Sequence, residues 1–148
     1  MKSQTGYAMA DYGSLLLRVS LGIMYLTHAQ LKFFTFGMAG TAAFFELVGF
    51  PGWTAYPVVA AEAIGGALLI LGWRVRFVSL ALIPILVGAA MTHWDNGWVF
   101  TTQGGGWEYP VFLIAVSLVL ALLGSGAHAL DSRASVATAL GSPMREHA

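Results

Sequence analysis

Four stretches of this chain run to the length of a membrane crossing with almost no charge inside them. They cover about residues 12–34, 55–72, 75–91 and 109–124, each near the ~20 residues an α-helix needs to cross ~30 Å of hydrocarbon. In lipid every backbone N–H and C=O must be paired within the segment, so such stretches become helices. Pro84 in the third and Pro110 at the head of the fourth are tolerable where neighbouring helices cover the freed carbonyls. Charged residues make up 9% of the chain and apolar residues 57%, whereas a soluble domain is about a quarter charged. Mean hydropathy is +0.73. The expected fold class is all-α: a polytopic integral membrane four-helix bundle over residues 1–131, followed by a flexible cytoplasmic tail at 132–148. The first stretch is long for the core of a cleaved signal and carries Arg18 inside it. It also ends at Lys32 without a clear cleavage site, so it is expected to remain.

Orientation follows from the basic residues. Lys2, Arg18, Arg74, Arg76, Arg133 and Arg145 fall on one side of the expected bundle, and Lys32 alone on the other. Both termini are then cytoplasmic. Trp53, Trp94, Trp98 and Trp107 line the outer interface, with Trp73 and Tyr12 at the inner one. Between the first two spans, residues 40–50 are apolar apart from Glu46 but too short to cross. They read as an interfacial or re-entrant half-helix, ended by Gly49 and the Phe50-Pro51-Gly52 turn.

Ionisable residues at membrane depth carry the functional information, because a charge there costs several kcal/mol unless paired. At 100° per residue, Arg18, Tyr25, His28 and Lys32 fall within an arc of about 80° on one helix face. Glu62 lies mid-depth on the second span, followed by Gly65 and Gly66, which permit close helix approach. Arg18 and Glu62 differ in depth by about 9 Å at 1.5 Å per residue, so a structural Arg18–Glu62 ion pair is expected. His28, Lys32, Glu46, His93, Asp95, Glu108 and Tyr109 gather at the outer end. All but Asp95 are, with Glu62, candidates to bind a ligand or move protons. Tyr25, Trp94, Trp98 and Trp107 would supply the pocket wall. Aromatic walls with His and Glu partners suit a flat ring bearing carbonyls, such as a quinone. Each residue also has a plain role: Lys32 can snorkel, and Asp95-Asn96-Gly97 can simply turn the chain.

Several chemistries are excluded or disfavoured. The chain has no cysteine, which removes disulfides, thiolate metal sites, iron–sulfur ligation and covalently attached haem. A b-type haem between His28 and His93 has no spacing motif behind it, nor has a metal site. Seven basic and seven acidic residues cancel, arguing against nucleic acid. No phosphate loop, nucleophile elbow or zinc-protease helix is present, so the sequence offers no autonomous catalytic signature.

Read in order, Leu15-Leu16-Leu17-Arg18, Thr27-His28-Ala29-Gln30-Leu31-Lys32 and Gly40-Thr41-Ala42-Ala43-Phe44-Phe45-Glu46 resemble the DoxX family. Ala61-Glu62-Ala63-Ile64-Gly65-Gly66, Gly105-Gly106-Trp107-Glu108-Tyr109-Pro110 and Leu130-Asp131 continue the resemblance, with Ala29 standing where glycine is expected. It implies a small four-helix inner-membrane protein, with relatives linked to quinone-coupled oxidoreduction. Three functions are compatible with this reading. One is a quinone-linked subunit of an oxidoreductase, served by a periplasmic-side or membrane partner. The second is a non-catalytic anchor for a redox or stress-response complex. The third is a small transporter or channel, which would need a homo-oligomer to form a pore.

Overall fold

A computed structural model describes residues 4–131, and the expected tail at 132–148 lies outside the described residues. The described chain is all helical: α1 (Gln4–Gln30), α2 (Gly37–Leu47), α3 (Ala55–Leu71), α4 (Val75–Thr92) and α5 (Glu108–Leu123), with no strand among the described residues. α3 together with the 3₁₀ turn before it spans 20 residues, and α4 spans 18; both are long and apolar enough to cross a membrane. α5 is apolar but has 16 residues, about 24 Å at 1.5 Å per residue.

Helix α1 packs along α3, α3 on α4, α4 on α5, and α5 back on α1. The α1–α3 seam is set by glycine. A Cβ on Gly66 would stand 2.8 Å from the Gly22 carbonyl oxygen, and one on Gly22 would stand 2.7 Å from the Gly66 carbonyl oxygen. Two side-chain-free faces therefore let the backbones touch. Around that seam, Leu21, Tyr25, Leu69, Val78, Leu82 and Leu120 form the core. The exterior is apolar as well as the core. Ser14, Arg18, Glu62, Ser79 and Ser117 are buried, while Leu16, Ile64, Phe77, Phe112 and Leu122 point outward. A continuous apolar exterior is the surface a helix presents to hydrocarbon.

The half-helix expected from residues 40–50 is α2, which begins at Gly37, three residues earlier. A π-helical turn over Leu31–Thr35 links it to α1. There the Phe36 N–H donates to the Leu31 carbonyl at 3.0 Å, one residue further than an α-helix would reach. The Lys32 carbonyl is thereby left for the Thr41 hydroxyl, which donates to it at 2.9 Å and ties α2 to α1. Gly72, at φ +73°, ends α3 in the left-handed conformation that glycine adopts without strain.

Candidate functional site

The two ends of the helix assembly differ in character. At the lower end, where α3 turns into α4, Arg18 is 1% exposed and inserts its guanidinium between α3 and the chain after α5. It donates to the carbonyls of Ser125 at 3.0 Å, Ala127 at 2.9 Å and Leu69 at 3.1 Å, and also to that of Ile70. Asp131 completes the closure. Its carboxylate accepts from the Arg74 N–H at 3.0 Å, the Val75 N–H at 3.4 Å and the Ser125 hydroxyl at 2.7 Å. It thus caps the start of α4 from a distant part of the chain. Desolvation pushes the Asp131 carboxyl upward, but those hydrogen bonds and the Arg74 charge outweigh it and hold it below the usual carboxylate range.

The expected Arg18–Glu62 pair is therefore corrected. Antiparallel contact of Gly22 with Gly66 sets Arg18 beside Leu69 and Ile70. In that register Glu62 faces α1 about eight residues higher, roughly 12 Å along the axis. Its partner comes from above: Lys32 Nζ lies 2.5 Å from Glu62 Oε1. Sequence reasoning had Lys32 among the ligand candidates without pairing it to Glu62. Estimated depth did not tell which of two cations on the same stripe reaches the acid.

At the upper end a cavity of about 430 Å³ opens between α1, α2, α3, α4 and the start of α5. Its polar lining includes Tyr25, His28, Lys32, Glu62, His93 and Tyr109. Phe44, Phe45, Val48 and Phe50, from α2 and the turn after it, supply an apolar wall. The Glu62 side chain is 4% exposed, and its Oε2 has no hydrogen-bond partner. The Tyr25 hydroxyl is buried and likewise unpartnered by hydrogen-bond geometry. Ser117 lies beside it; its own proton goes to the Leu113 carbonyl at 2.8 Å, so towards Tyr25 its oxygen can only accept. Buried polar atoms are nearly always satisfied, so the unpartnered oxygen of Glu62 on this cavity marks where something else belongs.

Five candidates at the upper end stand elsewhere. Glu46 is exposed and lies against Gly52 across the turn that follows α2. Glu108 accepts from the Phe100 N–H at 3.0 Å, which pins the α4–α5 loop. Trp94, Trp98 and Trp107 are not on the cavity wall. Trp107 stacks on Trp94 at 4.8 Å between centroids and meets Trp98 edge-on at 4.5 Å. Aromatic rings held in such contacts fix a loop rather than a ligand. Among the described residues no cluster of three or more His, Cys, Asp or Glu could hold a metal ion. Residues missed by sequence reasoning are the α2 phenylalanines and Thr54 and Thr92. The Phe44-Phe45 pair in a short amphipathic segment was the available signal for the first of these.

The geometry can be set beside known proteins. A "Putative oxidoreductase CatD" from Bacillus subtilis (strain 168) is 38% identical over 121 residues, covering 82% of this chain and 86% of that one. No solved structure matches. The DoxX family model matches residues 13–94, a span that contains α2, α3, α4, Lys32 and Glu62. On both grounds the chain belongs to the DoxX family of membrane proteins.

Proposed function

We propose that this protein is a four-helix inner-membrane subunit that binds a quinone in the upper cavity and serves a membrane oxidoreductase. The observation that carries the reading is the Lys32–Glu62 pair, in which Glu62 is buried and its second carboxylate oxygen is unpartnered on a largely apolar cavity. A ring with polar oxygens fills such a space: the volume falls in the range of small-molecule sites. It is also about three times the ~150 Å³ cavity that holds benzene. The name of the Bacillus relative gives the same class of chemistry. Reduction of a quinone takes up two electrons and two protons. In this reading the electrons come from a partner protein; without cysteine the chain offers no thiol or iron–sulfur carrier of its own. Glu62, His28 and His93 are the groups on the cavity that can pass protons.

In this reading α1, α3, α4 and α5 cross the membrane. The Arg74–Arg76 turn faces the cytoplasm and the cavity lies at the periplasmic side, as the basic residues direct. Alkaline phosphatase fused after Gly104 is then active and fused after Trp73 is inactive. The functional test is purification in mild detergent, extraction of bound lipid, and thermal unfolding with and without quinone analogues. Co-purifying quinone and a raised Tm are expected. No quinone in the extract together with an unmoved Tm would sink the proposal.

One observation favours a second reading, a docking role for the α4–α5 loop. This loop is fixed by bonds from Trp107 N–H to the Gly97 carbonyl at 3.2 Å and Glu108 N–H to the Trp98 carbonyl at 3.1 Å. It nevertheless presents Trp98, Val99 and Phe100 outward. A co-purifying protein lost in Trp98→Ala, with ligand binding intact, would establish it.

A further inference from the structure

The polar lining of the upper cavity can be counted as donors and acceptors. Glu62 Oε2 is a buried carboxylate oxygen without a partner, and it can only accept. His28 Nδ1 lies 2.9 Å from the Met24 carbonyl oxygen, and His93 Nδ1 lies 2.9 Å from that of Gly104. A carbonyl has no proton to give, so both ring nitrogens donate. In its neutral form each imidazole then carries its proton on Nδ1, and Nε2 is an acceptor. Thr54 and Thr92 have also spent their protons, on the carbonyls of Pro51 at 2.6 Å and Gly88 at 3.0 Å. Donors are fewer: the Tyr25 and Tyr109 hydroxyls and the protons of Lys32 not used on Glu62.

A quinone's two ring oxygens only accept. They can take protons from Tyr25 and Lys32, but they have no proton to give to Glu62 Oε2, which stays unpartnered, or to a histidine Nε2. A quinol carries a hydroxyl at each of those positions. It can donate to Glu62 Oε2 and to an imidazole while still accepting from Tyr25. We propose that the cavity selects the dihydroxy form, the quinol, over the quinone. This rests on the quinone-binding reading above and deepens it by naming the redox form that the site holds.

No electron moves in this step; it is a difference of two binding equilibria. Filling or leaving one buried polar group typically changes binding about tenfold or more. By linkage, a tenfold preference for the reduced form raises the two-electron potential of the bound couple by about 30 mV. A quinone at this site thus becomes the stronger electron acceptor.

The test uses the full chain in detergent or nanodiscs. A decyl-substituted benzoquinone and its quinol, the latter held reduced without oxygen, are titrated and their Kd values compared. Quinol tighter by about tenfold is expected. Equal affinity, or tighter quinone, overturns the inference while leaving the redox reading in place. Binding of neither overturns both. Glu62→Gln supplies an amide donor where the carboxylate could only accept, so the preference should shrink or reverse. The wild-type ratio decides the matter even where that variant folds poorly. In a folded Glu62→Gln protein, an unchanged ratio would remove Glu62 as its source and overturn the assignment.

Discussion

The lower and upper ends use the same ingredients, one cation and one acid, to opposite effect. Below, the four described partners of Arg18 are backbone carbonyls, and Asp131 receives two backbone N–H groups and a hydroxyl. The cation and the acid there serve the chain, closing α3, α4 and the segment after α5 on one another. Above, Lys32 and Glu62 face each other across a cavity and leave an oxygen over. Identical charges are structural where their hydrogen-bonding capacity is used on backbone, and available for ligand where it is not.

The contrast can be broken most severely at Arg18. Arg18→Leu leaves several buried carbonyls without donors and is expected to cost about 3 kcal/mol or more, read as loss of folded yield and a large fall in Tm. Arg18→Lys should rescue little, because a single ammonium cannot span carbonyls on two segments as the planar fork does. Next comes the seam between the ends. Gly66→Ala pushes a methyl to 2.8 Å from the Gly22 carbonyl oxygen and is expected to cost about 1–3 kcal/mol. Quinone or quinol binding should weaken with it, as α1 and α3 separate beneath the cavity.

Lys32→Met sharpens the comparison at the upper end. It leaves Glu62 buried without its cation, so Glu62→Gln in the same chain should recover part of the lost stability. That coupling is expected at about 1–2 kcal/mol, measured by a double-mutant cycle on Tm. Additive effects would mean the pair is idle. The smallest effect belongs to Asp131. Because its carboxyl sits below the unfolded value in the folded chain, its contribution is present above about pH 4 and is lost as the pH falls through the folded value. Asp131→Asn should flatten that acid limb and cost about 1 kcal/mol at neutral pH, the size of a lost helix cap.

Much of this architecture is legible in the residues themselves. The apolar runs locate α3, α4 and α5, and the short Gly- and Phe-rich stretch before Pro51 locates α2. The stripe of Arg18, Tyr25, His28 and Lys32 does face inward. Rotational register between helices is not legible, since it depends on where Gly22 meets Gly66. The wrong cation was accordingly matched to Glu62. Depth also fails to separate inside from outside within a loop. Trp94, Trp98 and Trp107 sit at the height of the cavity by sequence, yet they spend their faces on one another. Asp131 was part of the family resemblance, but nothing local to Leu130-Asp131 announces that it caps a helix more than fifty residues earlier.

The π-helical turn at Leu31–Thr35 makes the chain sensitive to length at one place. It holds one residue more than an α-turn would. That surplus frees the Lys32 carbonyl for Thr41. Deleting a single residue there, Phe33 or Phe34, would remove that surplus, return the Lys32 carbonyl to an α-helical bond and take it from Thr41. The Phe44–Phe45 wall, carried on α2, would lose that tie to α1 with almost no change in the hydropathy pattern. Among homologous chains, a one-residue gap between Gln30 and Gly37 would therefore mark a cavity whose α2 wall is held differently.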